Sequence, residues 1–561
     1  MTVKEYDELK KIDAEAALER LKKAIDWKDE GDKIWSEDQH AMILAAFMLW
    51  NIKRKEKYDT TDDYSKYCAS YEWHETFDDL MGFFDESKRW QEFISLKDKF
   101  TNEELMAIVL FLKNWDGDDP TQEGIISLVD KILDIRPGER VANYCAYDYE
   151  FPLYSALRHP ENRYVGYDDS WSKHGMAEAK KQILGIENID VNGDCEEAIE
   201  NDKVFSSALD YDTMRNNFPL NYGNIPENRR VAPEIVLNRE AAIRTMQLTG
   251  KGRGILLIKS GPLSSQDYFT TRSSWLVSNS VSGVIALPEK LYGNTWVNVY
   301  LVIFQRGSTS IRFCDAREKY IKSRDKGKQI NVMTEENVAE IYKDYVSGKE
   351  FSKTVSYDEV RKNDYVLLPQ RYVKTNKSQK SISIGECLKE IDRGITLSAK
   401  EMDQLIDDGK SEGVRCIVPS SLSNGVIAKT YRFDQAAFDR KINYVYKGDI
   451  LVNKTGKPIR VAVADDKYIV VGNTYILRID QKKLDPYYIK IFLETGKGQK
   501  EIEKYAVGSN TPMISIPNLK KVEIPLYKEK KRKELEEKAK DITEKVQNTV
   551  YEMSQIDEMF D

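Results

Sequence analysis

Cysteine and histidine are scarce in this sequence: 561 residues hold six of one and four of the other. The cysteines (Cys68, Cys145, Cys195, Cys314, Cys387, Cys416) form no C-x-x-C pair, which argues against a zinc site or a disulfide framework. No histidine stands in a nucleophile or metal constellation, so hydrolase chemistry has no support and no metal is expected. Long apolar runs are also missing. No stretch approaches the ~18 residues of a membrane span, and the start MTVKEYDELKKIDAEAALERLKK is charged and amphipathic, without a signal-peptide core. A cytoplasmic protein without membrane contact is expected. Residues 1–115 contain no proline. A net charge of -8 excludes coating nucleic acid by bulk electrostatics, although 85 Lys and Arg suffice for a local basic cleft. Finally, glycine is missing from ERVANYCAYDYEFPL, Glu139 to Leu153.

What is present predicts several domains, since a domain averages roughly 150 residues and 41% hydrophobic content is ample for cores. Residues 1–115 have helical spacing, as in Trp35, Ala41, Met42, Leu44, Ala45, Phe47, Met48 and Trp50, and predict an all-α domain with Trp27, Trp35, Trp50 and Trp73 in its core. In 116–330 the runs RYVGYD, KVFSSAL, GRGILLIKSG, VSGVIAL, VNVYLVIFQRG and SIRFCD alternate with helical stretches, which predicts an α/β, Rossmann-like sheet. Residues 331–375 read as a charged connector, and 376–527 as a β-rich domain punctuated by Gly, Asn and Pro. In 528–561, Leu535, Ala539, Ile542, Val546, Thr549, Met553, Ile556 and Phe560 repeat at four-three spacing, the seam of a long helix that pairs with something. The strand at Val141 runs into a turn that would hold glycine if backbone were to approach a nucleotide cofactor closely.

The order of these segments resembles a known family. Thr121-Gln122 before IISLVDKILDI, then GKGRGILLIKSGPL, VSGVIALPEKLYGNTWVNVYLVIFQRG and SYDEVRKNDYVLLPQRYV, are similar to the modification subunits of type I restriction-modification systems, gamma-class adenine-specific DNA methyltransferases. KGDILVNKTGKPIRVAVA, the later GSNTPMISIPNLKKVEIPL and the terminal helix look like one target-recognition domain and one spacer helix of a type I specificity subunit. The resemblance implies a methyltransferase-like core fused to a recognition domain that reads double-stranded DNA through base edges. It implies a spacer helix that pairs with a second copy or with a paralogous active methyltransferase, beside a possible restriction subunit.

Carried over residue by residue, the family's chemistry fails at two places. Its cofactor loop, close to D-P-x-C-G-S-G, falls on Asn143-Tyr144-Cys145-Ala146-Tyr147-Asp148-Tyr149, so S-adenosylmethionine would meet Tyr147 and Tyr149 in place of bare backbone. Its catalytic Asn or Asp, Pro-Pro and aromatic ring fall on Ser207-Ala208-Leu209-Asp210, which can neither accept the exocyclic amine's hydrogen bonds nor stack on a flipped base. Asn217-Phe218-Pro219-Leu220 has the elements in the wrong order. Asp168 stands where the family binds the ribose hydroxyls and Asp194 where it contacts the adenine, although a strand-end Asp is more often a helix cap or a turn residue. Tyr144, Tyr147 and Tyr149 read as packing in preference to base stacking. Asn453, Lys454, Lys457, Arg460, Ser509 and Asn510 are the DNA-contact candidates, with simple solvent exposure an equal reading of Lys454, Lys457 and Arg460. KEKKRK at 528–533 reads as a solvated helix face. The expectation is a DNA-reading, catalytically degenerate subunit of a modification, restriction or phage-defence assembly that needs no cofactor. An active S-adenosylmethionine-dependent adenine methyltransferase with diverged loops is the alternative, and an interaction protein without DNA contact a third.

Overall fold

The structure is a computed structural model and describes residues 1–25, 39–55, 61, 64, 87–112, 121–146, 149–168, 171–191, 200–209, 233–291, 298–325, 328–373, 380–407, 413–507 and 512–560. The chain divides into two units, Met1–Val373 and Lys374–Asp561.

The first unit begins with α1 (Val3–Leu9), α2 (Ala14–Ala24), α3 (Gln39–Lys55), α4 (Ser87–Ser95) and α5 (Asn102–Phe111). Capping boxes at Thr2 and Thr101 satisfy the first free amides of α1 and α5. Ala41, Met42, Leu44, Ala45, Phe47, Met48 and Trp50 are buried, as their spacing predicts, among Trp90 and Phe93. Trp27, Trp35 and Trp73 lie outside the described residues.

Next come α6 (Glu123–Leu133), β1 (Arg140–Tyr144), α7 (Glu150–Arg158), β2 (Arg163–Tyr167), α8 (Trp171–Leu184), β3 (Ile189–Asp190), β4 (Asn201–Ala208), α9 (Pro233–Thr245), β5 (Leu248–Lys259), α10 (Ser260–Ser264), α11 (Phe269–Val277), β6 (Val281–Ala286), β7 (Val299–Phe304), β8 (Ser310–Asp315), β9 (Ile321–Asp325), β10 (Lys328–Val332), α12 (Glu335–Ser347), β11 (Ser352–Ser356) and α13 (Tyr357–Lys362). Nine strands form one mixed sheet in the order β11-β8-β6-β7-β5-β4-β1-β2-β3. β7 runs against β5 and β6, and β11 against β8, while the other neighbours are parallel. Every residue of β7, VYLVIF, is buried, as a strand covered on both faces requires. Helix α7 packs on β1, β2 and β3, and α9 on β1, β4 and β5.

Two domain expectations need correction. The helical segment is not a separate body, because Met176, Ala179 and Ile183 of α8 complete its core. Residues 331–375 are not a connector. They supply α12, α13 and the edge strand β11, and bury Val338, Ile341, Val355, Tyr357, Val360, Leu367 and Tyr372 in the sheet's own core. Charged residues between those apolar positions hide the pattern, since α12 buries only one face and β11 buries only Ser352 and Val355.

In the second unit, four strands pair in the order Leu388–Arg393, Thr474–Ile479, Ile450–Asn453, Val461–Val463, and five in the order Ile406–Asp407, Tyr431–Phe433, Val414–Ile417, Tyr468–Val470, Tyr444–Val445. Leu451, Ala462 and Ile476 of the first sheet share a core with Ile417, Val445 and Val470 of the second. A further core joins Ile450, Val452 and Leu477 to Ile489 and Leu493 of the helix Pro486–Glu494, and Leu535 of the terminal helix, Glu529–Phe560, packs against it. The terminal helix buries Ala539 and Thr543 there, while Ile542, Tyr551, Met553 and Ile556 are exposed. The four-three seam is thus divided, its first turns docked within the chain and its last turns open to solvent.

Candidate functional site

In an open sheet of parallel strands, ligands bind beyond the carboxyl ends where the strand order reverses. Here that point lies between β1 and β4, because the chain runs outward from β1 through β2 to β3 and then returns to β4 on the other side. Asn143 through Ala146 end β1, Asp168 follows β2, Val191 follows β3, and Ala208 ends β4. The cofactor-loop and catalytic positions read from the sequence therefore converge on one edge.

The side chains at that edge form a packed layer. Tyr144 and Tyr167, register partners on β1 and β2, stack with centroids 4.5 Å apart, and the Tyr144 hydroxyl donates to Gln247 at 3.5 Å. Asn143 points to the opposite face, as its neighbour position on the strand requires. Its Nδ2 spans the switch point to donate to the Phe205 carbonyl of β4 at 3.1 Å. Tyr149, wholly buried, caps α7, and its ring lies against Gly166 so closely that a Cβ there would fall 2.2 Å from the ring. Only glycine fits beneath it. The ring meets His174 edge-on at 5.9 Å, and the hydroxyl donates to the Val191 carbonyl at 2.6 Å, so one side chain bridges from the end of β1 to the end of β3.

Backbone geometry at this loop matches glycine even where glycine is gone. Cys145 and Tyr149 have φ of 51° and 57°, the left-handed region that costs a side-chain-bearing residue about 1–2 kcal/mol. Packing must offset that cost. Asp168 is buried at the end of β2, and His174 Nε2 donates to its main-chain carbonyl. Ser207 and Ala208 are the last residues of β4, paired with Leu257 and Ile258 of β5, and Leu209 follows, half-buried. Tyr147, Asp148, Asp194, Asp210 and Asn217 through Leu220 lie outside the described residues. Of the described groups, Asp168 suits S-adenosylmethionine. The described part of the loop does not, because the buried Tyr149 ring stands over Gly166 where the donor would need bare backbone.

In the second unit, Asn453 does not present its amide to a groove. It is 5% exposed, its Nδ2 donates to the Pro419 carbonyl at 2.9 Å, and its Oδ1 accepts from the Thr474 hydroxyl at 3.0 Å, because the strand end that carries it is paired on both sides. Lys457 and Arg460 are exposed and Lys454 half-buried. Ser509 and Asn510 are outside the described residues, but the segments flanking them join the Lys454 loop: Thr455 bridges Met513, and the Gly456 amide donates to the Pro512 carbonyl at 3.1 Å. Two stretches far apart in sequence, around Thr455 and Met513, thus share one loop cluster.

Sequence reasoning missed Gly166 and the left-handed Cys145. A lone glycine inside an apolar strand was the available signal for the first, since it marks close approach by another group. It also missed Lys490, buried to 2% in the helix Pro486–Glu494, where it pairs with Glu494 at 2.7 Å and donates to Thr543 of the terminal helix at 3.0 Å.

Residues 164–381 match the family described as N-6 DNA Methylase, and residues 381–543 match the Type I restriction modification DNA specificity domain. The chain is similar to the Type I restriction enzyme MjaVIII methylase subunit of Methanocaldococcus jannaschii, 28% identical over 153 residues, 26% of this chain and 26% of that protein. It is also similar to the Type I restriction enzyme MjaIX methylase subunit of the same organism, 25% identical over 173 residues, 28% of this chain and 29% of that one. The match spans about a quarter of the length of these curated relatives. Among solved structures, the type IIG restriction endonuclease BpuSI is 10% identical with a TM-score of 0.51, over 94% of this chain and 75% of that one, a likeness of fold.

Proposed function

Taking the chain as an N6 DNA methylase domain fused to a type I restriction-modification specificity domain, we propose that it is a DNA-reading, catalytically degenerate subunit of a modification, restriction or phage-defence assembly. Tyr149 carries the reading. Its buried ring and hydroxyl cross the edge from β1 to β3 where a methyl donor would lie. Ser207, Ala208 and Leu209 add support, since none can hold the exocyclic amine or the ring of an everted adenine. In this reading Lys454, Lys457 and Arg460, together with Ser509 and Asn510 of the second stretch, bring duplex DNA to the recognition domain through its phosphates. The exposed seam of Ile542, Met553 and Ile556 pairs with an active methyltransferase or a second copy, which supplies the other half-site.

Calorimetric titration with S-adenosylmethionine separates this from the alternative, an active adenine methyltransferase, which Asp168 buried at the end of β2 favours. No heat of binding is expected. Saturable binding together with methyl transfer to adenine in DNA would overturn the degenerate assignment. For the seam, Met553→Asp with Ile556→Asp is expected to lower the mass of the assembly in sedimentation, and an unchanged mass would refute the pairing.

A further inference from the structure

β9 and β10 form a two-stranded ribbon that pairs with no other described strand. Its register sets Lys322 opposite Asn331 and Arg324 opposite Gln329, so period-two alternation puts these four on one face. Lys322, Arg324, Lys328 and Gln329 are exposed. From Arg317 to Gln329 the sequence holds six basic and two acidic residues, in a chain whose net charge is -8. Arg317 and Lys319 are neutralised by Asp315 and Glu340. Lys322 and Arg324 have no ion-pair or hydrogen-bond partner among the described residues.

The base of the ribbon is held firmly. Asn331 is buried, its Nδ2 donates to the Glu289 carbonyl at 2.6 Å, its amide donates to Lys290 at 2.9 Å, and its own carbonyl accepts from Gln122 at 2.9 Å. Glu289 and Lys290 follow the carboxyl end of β6, and the ribbon itself follows the carboxyl end of β8. Both strands run parallel to β1 and β4, so the ribbon rises from the edge that carries the switch point.

We propose that Lys322 and Arg324 of this ribbon hold the phosphate backbone of duplex DNA at the carboxyl edge of the nine-stranded sheet, a contact separate from the recognition domain. The proposal rests on the DNA-reading assignment above. A two-stranded ribbon fits a duplex groove, five residues reach about 16 Å, and two cations without partners among the described residues release counterions when they meet phosphates. These contacts fix position and carry no sequence information.

The test uses the full chain with Lys322→Ala and Arg324→Ala together, binding a fluorescent duplex of random sequence across a KCl series. The expected result is a log-affinity against log-salt slope shallower by about 1.8, two contacts at about 0.9 each, with unchanged preference among duplexes. Lys251→Ala with Arg306→Ala makes the same charge change at the opposite edge of the sheet, and the wild-type slope is expected there. A wild-type slope in the ribbon variant, on duplexes the wild type binds, overturns the ribbon contact and leaves the DNA-reading assignment standing. If that slope comes with a lower assembly mass, the ribbon binds protein and the proposal is equally refuted. A wild-type chain that binds no duplex at any salt removes the assignment and the ribbon contact together.

Discussion

The carboxyl edge of the first unit and the Lys454 loop of the second make opposite use of polar and aromatic side chains. At the edge, Tyr144, Tyr149 and Tyr167 are buried, their rings stacked or wedged, and the hydroxyls of Tyr144 and Tyr149 donate to Gln247 and to the Val191 carbonyl. In the loop, Lys457 and Arg460 are exposed, Arg460 donating to the Leu422 carbonyl at 3.1 Å, while the candidate Asn453 is buried and built in. A site that must take a ligand leaves groups unsatisfied, at a cost in stability, whereas a site relieved of that task can convert the same positions into core. The two regions therefore differ in what mutation should reveal: stability at the first, affinity at the second.

The largest test of that contrast is Tyr149→Ala, which empties a wholly buried ring site and should cost about 3–5 kcal/mol in denaturant unfolding. Tyr149→Gly should cost about 1 kcal/mol less, because the position is left-handed, and this reverses the usual order of alanine and glycine. Equal losses would mean that the backbone there carries no strain. Next, Glu494→Gln leaves Lys490 buried without its counter-ion and should cost about 3 kcal/mol, measured on the second unit's transition. Asn453→Ala should cost about 1–3 kcal/mol of stability and leave the salt dependence of DNA binding alone, whereas Lys457→Ala with Arg460→Ala should do the reverse, reducing the salt slope by about 1.8. If Asn453→Ala changes sequence preference in an otherwise stable protein, the contrast fails.

The smallest expected effect is a pH dependence confined to the first unit. His159 Nε2 lies 3.1 Å from Asp130 Oδ2, and that hydrogen bond holds the imidazole pKa above its ordinary 6.5. A raised pKa in the folded state means that the stabilisation is complete below about 6.5 and is lost as pH rises through the higher folded value. Melting temperature should therefore decline over that window in the wild type, and the decline should disappear in His159→Gln. A decline that persists in the variant would assign it to another group.

Legibility followed how much of each element's surface is buried. β7 could be read directly because VYLVIF is apolar throughout, β2, β6 and β8 lie within the runs that predict them, and β4 and β5 begin before theirs, at Asn201 and Leu248. α12 and β11 read as connector because α12 shows one apolar face among Glu, Lys and Asp and β11, SKTVS, offers Val355 alone, patterns that a charged linker shares. At the switch point the absence of glycine was visible, and packing was the preferred reading of the tyrosines, as Tyr144 and Tyr149 are placed. What one chain of letters could not give was the partner of each group: that Tyr149 needs Gly166 beneath it, or that Asn453 closes on Pro419 and Thr474. Those pairings are separated by 17 or more residues and depend on sheet register.

Strand β11 has a practical meaning for anyone dissecting this protein. Cutting at residue 330, where the alternation of strands and helices ends, would strip β8 of its outer neighbour and expose a row of unpaired amides and carbonyls from Ser310 to Asp315. Such a fragment should recruit foreign strands and precipitate. A fragment ending at Val373 retains that border and coincides with the compact unit Met1–Val373.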